Sequence, residues 1–177
     1  MYEQKLTPTD NRAAERPGDA GTTSLFGDVR VDKDDAAIEV CGNIDELSAS
    51  LGIVRAEGLP AQFESIILRI QQELIAFCTE IVSDEAKIVP EHLRRIEAEI
   101  ECIESELPTL TQFVIAGSGA LGRTRSSAML HLSRTICRRA ERSLVTLCRT
   151  REKSPHLVAY LNRLGGLLFA MARKMAL

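Results

Sequence analysis

From Ile38 onward, apolar residues recur at steps of three and four, the period of helices that bury one face. Cys41, Ile44, Leu47, Leu51 and Val54 predict a helix over about 38–55, which Gly58 and Pro60 end. Phe63, Ile66, Ile67, Ile70, Leu74, Phe77 and Ile81 predict a second over about 61–83. A third starts near Pro90, a good first-turn residue, carries Leu93, Ile96, Ile100, Ile103 and Leu107, and stops at Pro108. A fourth, about 124–150, has the stripe Met129, Leu132, Ile136, Ala140, Leu144 and Leu147. A fifth opens at Ser154-Pro155, a cap followed by a first-turn proline, and buries Leu157, Leu161, Leu164, Leu168 and Met171. Only Gln112-Phe113-Val114-Ile115 looks strand-like, and nothing alternates strand with helix. The fold class is therefore all-α, a five-helix bundle over residues 36–177. Residues 1–35 lack sustained periodicity and form an irregular N-terminal arm.

Composition narrows the function classes. A chain of 177 residues has room for one domain with a sizeable core. Its net charge of -3 argues against general nucleic-acid binding. Without Trp, and with few aromatics, it offers no stacking platform for single strands. The five cysteines form no CxxC pair and read as reduced, mostly buried residues of a cytoplasmic protein. His92, His131 and His156 have no metal-ligand spacing, and no run is long enough to span a membrane.

The fourth helix changes the picture. It carries four arginines and one glutamate between Arg134 and Arg142. Arg134, Arg138 and Glu141 follow one line on its polar side; Thr135, Arg139 and Arg142 follow the next. Guanidinium groups at this density repel unless an anion sits among them, and their forked donors match phosphate. The bland alternative is a solvated face with an internal Arg–Glu pair. In the arm, Gly18-Asp19-Ala20-Gly21-Thr22-Thr23-Ser24 combines flexible glycines with hydroxyls, flanked by Arg16, Arg30 and Lys33. Such a turn can aim amides at an anion, although it is no Walker loop. The GxGxxG string at 117–122 lacks the βαβ setting of a dinucleotide site and reads as the lead-in to the fourth helix. Asp45, Glu46, Asn162 and Arg163 could face solvent or the arginine helix; spacing leaves both open.

Five segments together resemble the PduO-type ATP:cob(I)alamin adenosyltransferases, the corrinoid adenosyltransferases. They are RPGDAGTTSLFGDVRVDKDD at 16–35, CGNIDELSASLG at 41–52, FVIAGSG at 113–119, SSAMLHLSRTICRRAERSLVTL at 126–147 and YLNRLGGLLFAMAR at 160–173. The resemblance implies a homotrimer with active sites between subunits. It implies that cob(I)alamin attacks the 5′ carbon of ATP, giving adenosylcobalamin and triphosphate, with Mg2+ accompanying the triphosphate and no metal held by the protein itself. ATP would be held by Arg16, Gly18, Asp19, Gly21, Thr22, Thr23, Lys33, Arg138, Glu141 and Asn162. Asp45 and Arg134 would form an intersubunit ion pair beside the nucleotide. Phe113 would cover the lower face of the corrin and favour reduction of cobalt; judged without the motif, it would be a core aromatic closing a helix end. A reductase and an adenosylcobalamin-dependent client enzyme are implied as possible partners.

On that resemblance no general base would be required, because the metal of the substrate would be the nucleophile; Arg16, Lys33 and Arg138 would stabilise charge that grows on the leaving triphosphate. Three places depart from the family pattern. Glu15-Arg16-Pro17 stands where Thr-Lys is usual, Ala116-Gly117-Ser118 where Pro-Gly-Gly is usual, and Gly165-Gly166 where Ser-Asp is usual. Glu15 and Gly166 favour the alternative function, a non-catalytic carrier or sensor that binds ATP or a corrinoid.

Overall fold

The computed structural model describes residues 16–25, 29–83, 85–117 and 125–177. They fall into two compact units that divide between Lys33 and Asp34.

In the first unit the arm is not wholly irregular. Strands β1 (Thr22–Ser24) and β2 (Arg30–Asp32) pair antiparallel, with Thr23 opposite Val31. Three-residue strands are too short to show a period of two, which is why the pattern of side chains conceals them.

The second unit is the helical bundle. Asp35 caps α1 (Ala36–Ala56): its carboxylate accepts from the Ala37 amide at 2.8 Å and pairs with Arg151 at 2.5 Å. The Arg151 guanidinium and the Ala37 amide hold the Asp35 pKa below its ordinary value. Gly58, at φ +85°, takes the left-handed turn that ends this helix, and α2 (Ala61–Ser83) follows. Buried Glu80 on α2 accepts from the Lys87 and Ile88 amides, each at 2.7 Å, and so fixes the lead into α3 (Pro90–Ser105). The last two helices are α4 (Arg125–Cys148) and α5 (Pro155–Lys174). Ser154 caps α5 by accepting from the His156 amide.

Helix α4 lies between α1 and α5; α2 packs on α1, and α3 on α5. The expected stripes of α2 and α5 are buried throughout. On α1, Ile44, Leu47, Leu51 and Val54 are buried and Cys41 is half-buried. The first half of α4 departs from its expected stripe. Leu132 is 48% exposed, while Leu130, His131 and Ser133 are buried. Packing on two sides turns this part of the helix, and small hydroxyls fit the seams. Ser50 donates to the Ser133 hydroxyl at 2.9 Å, and Ser127 donates to the Ala172 carbonyl at 2.9 Å. Cys137 donates to the Leu161 carbonyl, and burial pushes its thiol up to about 12.

Below them, Tyr160 packs against Phe77 and donates to Glu73 at 2.8 Å. Arg69 joins Glu73 to Glu99, each at 2.6 Å. This polar knot ties α2, α3 and α5 together with its charges paired. The segment Gln112–Ile115 is a loop; the described sheet consists of β1 and β2 alone, and this segment pairs with no strand in it.

Candidate functional site

Two separate sets of residues carry the candidate chemistry. The first is the turn before β1. The Arg16 amide donates to the Asp19 carboxylate at 2.8 Å, and the Asp19 amide donates to the Arg16 carbonyl at 2.9 Å. Gly21, at φ +79°, donates to the Gly18 carbonyl and accepts from the Lys33 amide at 2.9 Å. The Lys33 ammonium lies over Gly18, 3.4 Å from where a Cβ would stand, so a side chain there would press on it. Arg30 donates from Nη2 to the Pro17 carbonyl at 2.5 Å and from Nε to the Thr22 hydroxyl at 3.2 Å. The turn thus gathers Gly18, Asp19, Gly21, Thr22, Arg30 and Lys33, with Thr23 next in β1. The amides of Asp19 and Gly21 are engaged within the turn itself. Glu15 lies outside the described residues, as do Gly119 and Gly122 of the glycine string.

The second set is on the bundle. The arginines of α4 separate by partner. Arg139 donates to Asn43 at 2.8 Å and pairs with Glu46, while Asn43 donates to Glu39 at 2.9 Å. Its charge is answered by α1. Arg134, Arg138 and Arg142 make no ion pair among the described residues, which is the arrangement that leaves cations available to an anion. Glu141 does not pair with the arginines of its own helix. It accepts from the Asn162 amide of α5 at 3.3 Å. Arg138, Glu141 and Arg142 line a shallow groove with Val145, Thr146 and Arg149. Asn162 therefore faces the arginine helix, whereas Arg163 turns away to Glu97 of α3.

One turn earlier, Arg134 lines a second groove with Val114, Ala116, Ala128, His131, Leu132 and Thr135. The loop that supplies Val114 also carries Phe113, which is 100% exposed. Phe113 is thus no core aromatic. Burial, with Arg134 as a second cause, holds the His131 pKa below its ordinary value, so the imidazole is a neutral neighbour of the guanidinium.

Asp45 sits elsewhere. It lines an apolar groove between α1 and α2 with Ile44, Ser48, Leu74, Ile75, Cys78, Thr79 and Val82. Arg134 instead rests on the α5 side, with its Cζ 5.2 Å from the Phe169 ring centroid. The chain does not bring Asp45 and Arg134 together as a pair. It does bring Glu46, the next residue, to Arg139.

Sequence reasoning passed over Phe169, His131 and Arg173. The spacing held a signal for Phe169: it stands seven residues after Asn162, two turns along the same face of α5. Among the described residues, no group of three His, Cys, Asp or Glu side chains is placed to hold a metal ion.

Comparisons with known proteins agree on one relationship. Residues 13–175 match the family model of cobalamin adenosyltransferase. The chain is 36% identical over 165 residues to a corrinoid adenosyltransferase of Citrobacter freundii, covering 89% of this chain and 91% of that one. It is 35% identical over 165 residues to the corrinoid adenosyltransferase PduO of Salmonella typhimurium, covering 89% of this chain but 48% of that one, so it spans about half of that longer relative. A solved Phe-to-His variant of the PduO-type ATP:corrinoid adenosyltransferase from Lactobacillus reuteri, complexed with cobalamin and ATP, superposes with a TM-score of 0.80. That structure is 25% identical, with 90% of this chain and 88% of that one covered.

Proposed function

This chain belongs to the cobalamin adenosyltransferase family, and from that premise we propose that it transfers the 5′-deoxyadenosyl group of ATP to Co(I) of a corrinoid. A bond forms between cobalt and the 5′ carbon. The bond from that carbon to the triphosphate oxygen breaks, and triphosphate leaves with the electron pair. No proton needs to move in this step, so the chain's part is to orient two substrates and stabilise an anion.

The observation that carries this reading is the asymmetry of the arginine helix. Arg139 is neutralised by α1, while Arg134, Arg138 and Arg142 have no carboxylate partner in the described chain. Arg138 on the bundle takes up charge of the triphosphate. In the arm, Arg16 and Lys33 offer cations and Thr22 and Thr23 hydroxyls to ATP, on a turn that Gly18, Asp19 and Gly21 shape. Magnesium enters with ATP as its counter-ion. Glu141 and Asn162, joined at 3.3 Å, position the nucleoside end. Phe113, fully exposed on its loop, meets the lower face of the corrin.

The working form is a homotrimer. Asp45 lies in an apolar groove beside Ile75, which is 70% exposed, and this face suits a neighbouring subunit. Asp45 of one chain then pairs with Arg134 of the next, a pairing a single chain does not make. A reductase supplies Co(I), and an adenosylcobalamin-dependent enzyme takes the product. All five cysteines are free thiols, which suits the reducing cytoplasm. No helix among the described residues is long and apolar enough to cross a membrane.

The test is anaerobic turnover of chemically reduced cob(I)alamin with Mg-ATP, followed by the spectral change to adenosylcobalamin and by triphosphate release. Conversion with stoichiometric triphosphate is the expected result. Binding of ATP or corrinoid without turnover would replace the enzyme with a carrier or sensor.

A further inference from the structure

Phe169 on α5 is half-buried, and three side chains converge on its ring. The Arg134 Cζ lies 5.2 Å from the ring centroid and the Arg173 Cζ 5.9 Å. The His131 ring meets it edge-on, with centroids 6.0 Å apart at 62°. Two guanidinium groups thus share one aromatic ring, and neither has a carboxylate partner among the described residues. Within the single chain the negative π-face attracts each cation where no carboxylate does. Arg173 also donates to the Pro108 carbonyl at 2.5 Å. Pro108 lies in the loop that runs from the end of α3 to Phe113. The ring therefore stands between the arginine of α4 and the anchor of the loop bearing the exposed aromatic.

We propose that Phe169 is a positioning residue for Arg134: its ring seats the guanidinium in one place before substrates arrive, and through Arg173 it sets the Phe113 loop relative to that guanidinium. This rests on the adenosyltransferase reading for Arg134. The physical need is plain. A single ion pair from a neighbouring subunit leaves a guanidinium several rotamers, and a ring beneath its plane removes them before the substrates meet. A flat ring restricts the guanidinium plane without taking up its N–H donors, so the seat and the Asp45 pair of the next subunit can act together.

The test compares Phe169→Leu, which keeps apolar volume but loses the π-face, with Phe169→Tyr, which keeps both. Phe169→Leu lowers kcat/KM for cob(I)alamin adenosylation roughly five- to tenfold, as loss of one cation–π seat implies. Phe169→Tyr restores it. Adding Phe169→Leu to Arg134→Lys costs less than it does in the wild type, because the two act through one contact. The Nε–H resonance of Arg134, read without substrates, shows an upfield ring-current shift that Phe169→Leu removes and Phe169→Tyr keeps. Wild-type kcat/KM in Phe169→Leu, equal losses in Leu and Tyr, full additivity with Arg134→Lys, or an unshifted Nε–H each overturns the proposal. A shifted Nε–H in a wild-type protein that turns over no cob(I)alamin would sink the adenosyltransferase reading while upholding the seat itself.

Discussion

The Asn162 amide donates to the Glu141 carboxylate at 3.3 Å across the seam between α4 and α5. The bond fixes an acceptor on the arginine helix beside Arg138, and both partners reach solvent. Asn162→Ala removes an exposed side chain, so the melting temperature should move by no more than about 1–2 °C. The KM for ATP should rise roughly tenfold, the loss of one charge-assisted hydrogen bond. Steady-state kinetics beside a thermal melt checks both. A large fall in melting temperature with an unchanged KM would make Asn162 a structural residue.

Arg138 lines the same groove, is exposed, and makes no ion pair among the described residues. Arg138→Ala should abolish triphosphate release and leave the oligomer intact, as followed by phosphate-resolved chromatography and by size-exclusion. Wild-type turnover in this variant would remove Arg138 from the site.

Asp45 and Arg134 lie on different flanks, one against α2 and the other on Phe169 of α5. If they meet between subunits, Asp45→Ala and Arg134→Ala chains should each be inactive alone and active when co-expressed. Random assembly into trimers leaves about a quarter of the interfaces with both native residues. Turnover near that fraction of wild type is the expected result. No recovery in verified mixed oligomers would place the two residues in separate roles.

His131 is buried, and its pKa is held below the ordinary 6.5, first by burial and then by Arg134. The folded state therefore binds the proton less readily than the unfolded chain does. Its contribution is complete above the unfolded value and is lost as pH falls toward and through the lowered folded value. Melting temperature should drop as pH falls from 7 to 5. His131→Gln should flatten that slope, and parallel slopes in the two proteins would exclude His131 as the cause.

The Tyr160 hydroxyl donates to buried Glu73 at 2.8 Å, and burial with the Glu73 charge raises the Tyr160 pKa well above its ordinary value. Tyr160→Phe leaves that carboxylate with one donor fewer, since Arg69 remains. A loss of about 1–3 kcal/mol in denaturant unfolding follows. An unchanged midpoint would mean that Arg69 satisfies Glu73 alone.

The helices were legible because Phe63 to Ile81 and Leu157 to Met171 repeat at helical period, and Ser154 caps α5 where the Ser-Pro pair places it. The start of α4 was not. Ser127 and Ser133 look like surface residues, yet each is buried with its hydroxyl bonded to a neighbouring helix or to its own backbone. The lines Arg134–Arg138–Glu141 and Arg139–Arg142 were visible as lines, but their partners were not. Whether Glu46 or Asp45 meets the arginine helix depends on how α1 is rotated about its own axis, and one residue is a turn of about 100°. The role of Phe169 depends on two cations brought in from α4 and from its own helix end, which no local spacing reports.

Phe113 stands wholly in water, while the arginine side of α4 offers charge. A ligand that covers the ring removes apolar surface from solvent, so its association carries a negative heat-capacity change and strengthens in sulfate. A ligand held by Arg138 and its neighbours weakens as ionic strength rises, because the ions of the medium compete for the same charges. As halves of the proposed site, Phe113 and Arg138 should answer salt in opposite directions, and a salt series would assign each substrate to its half before any complex is seen.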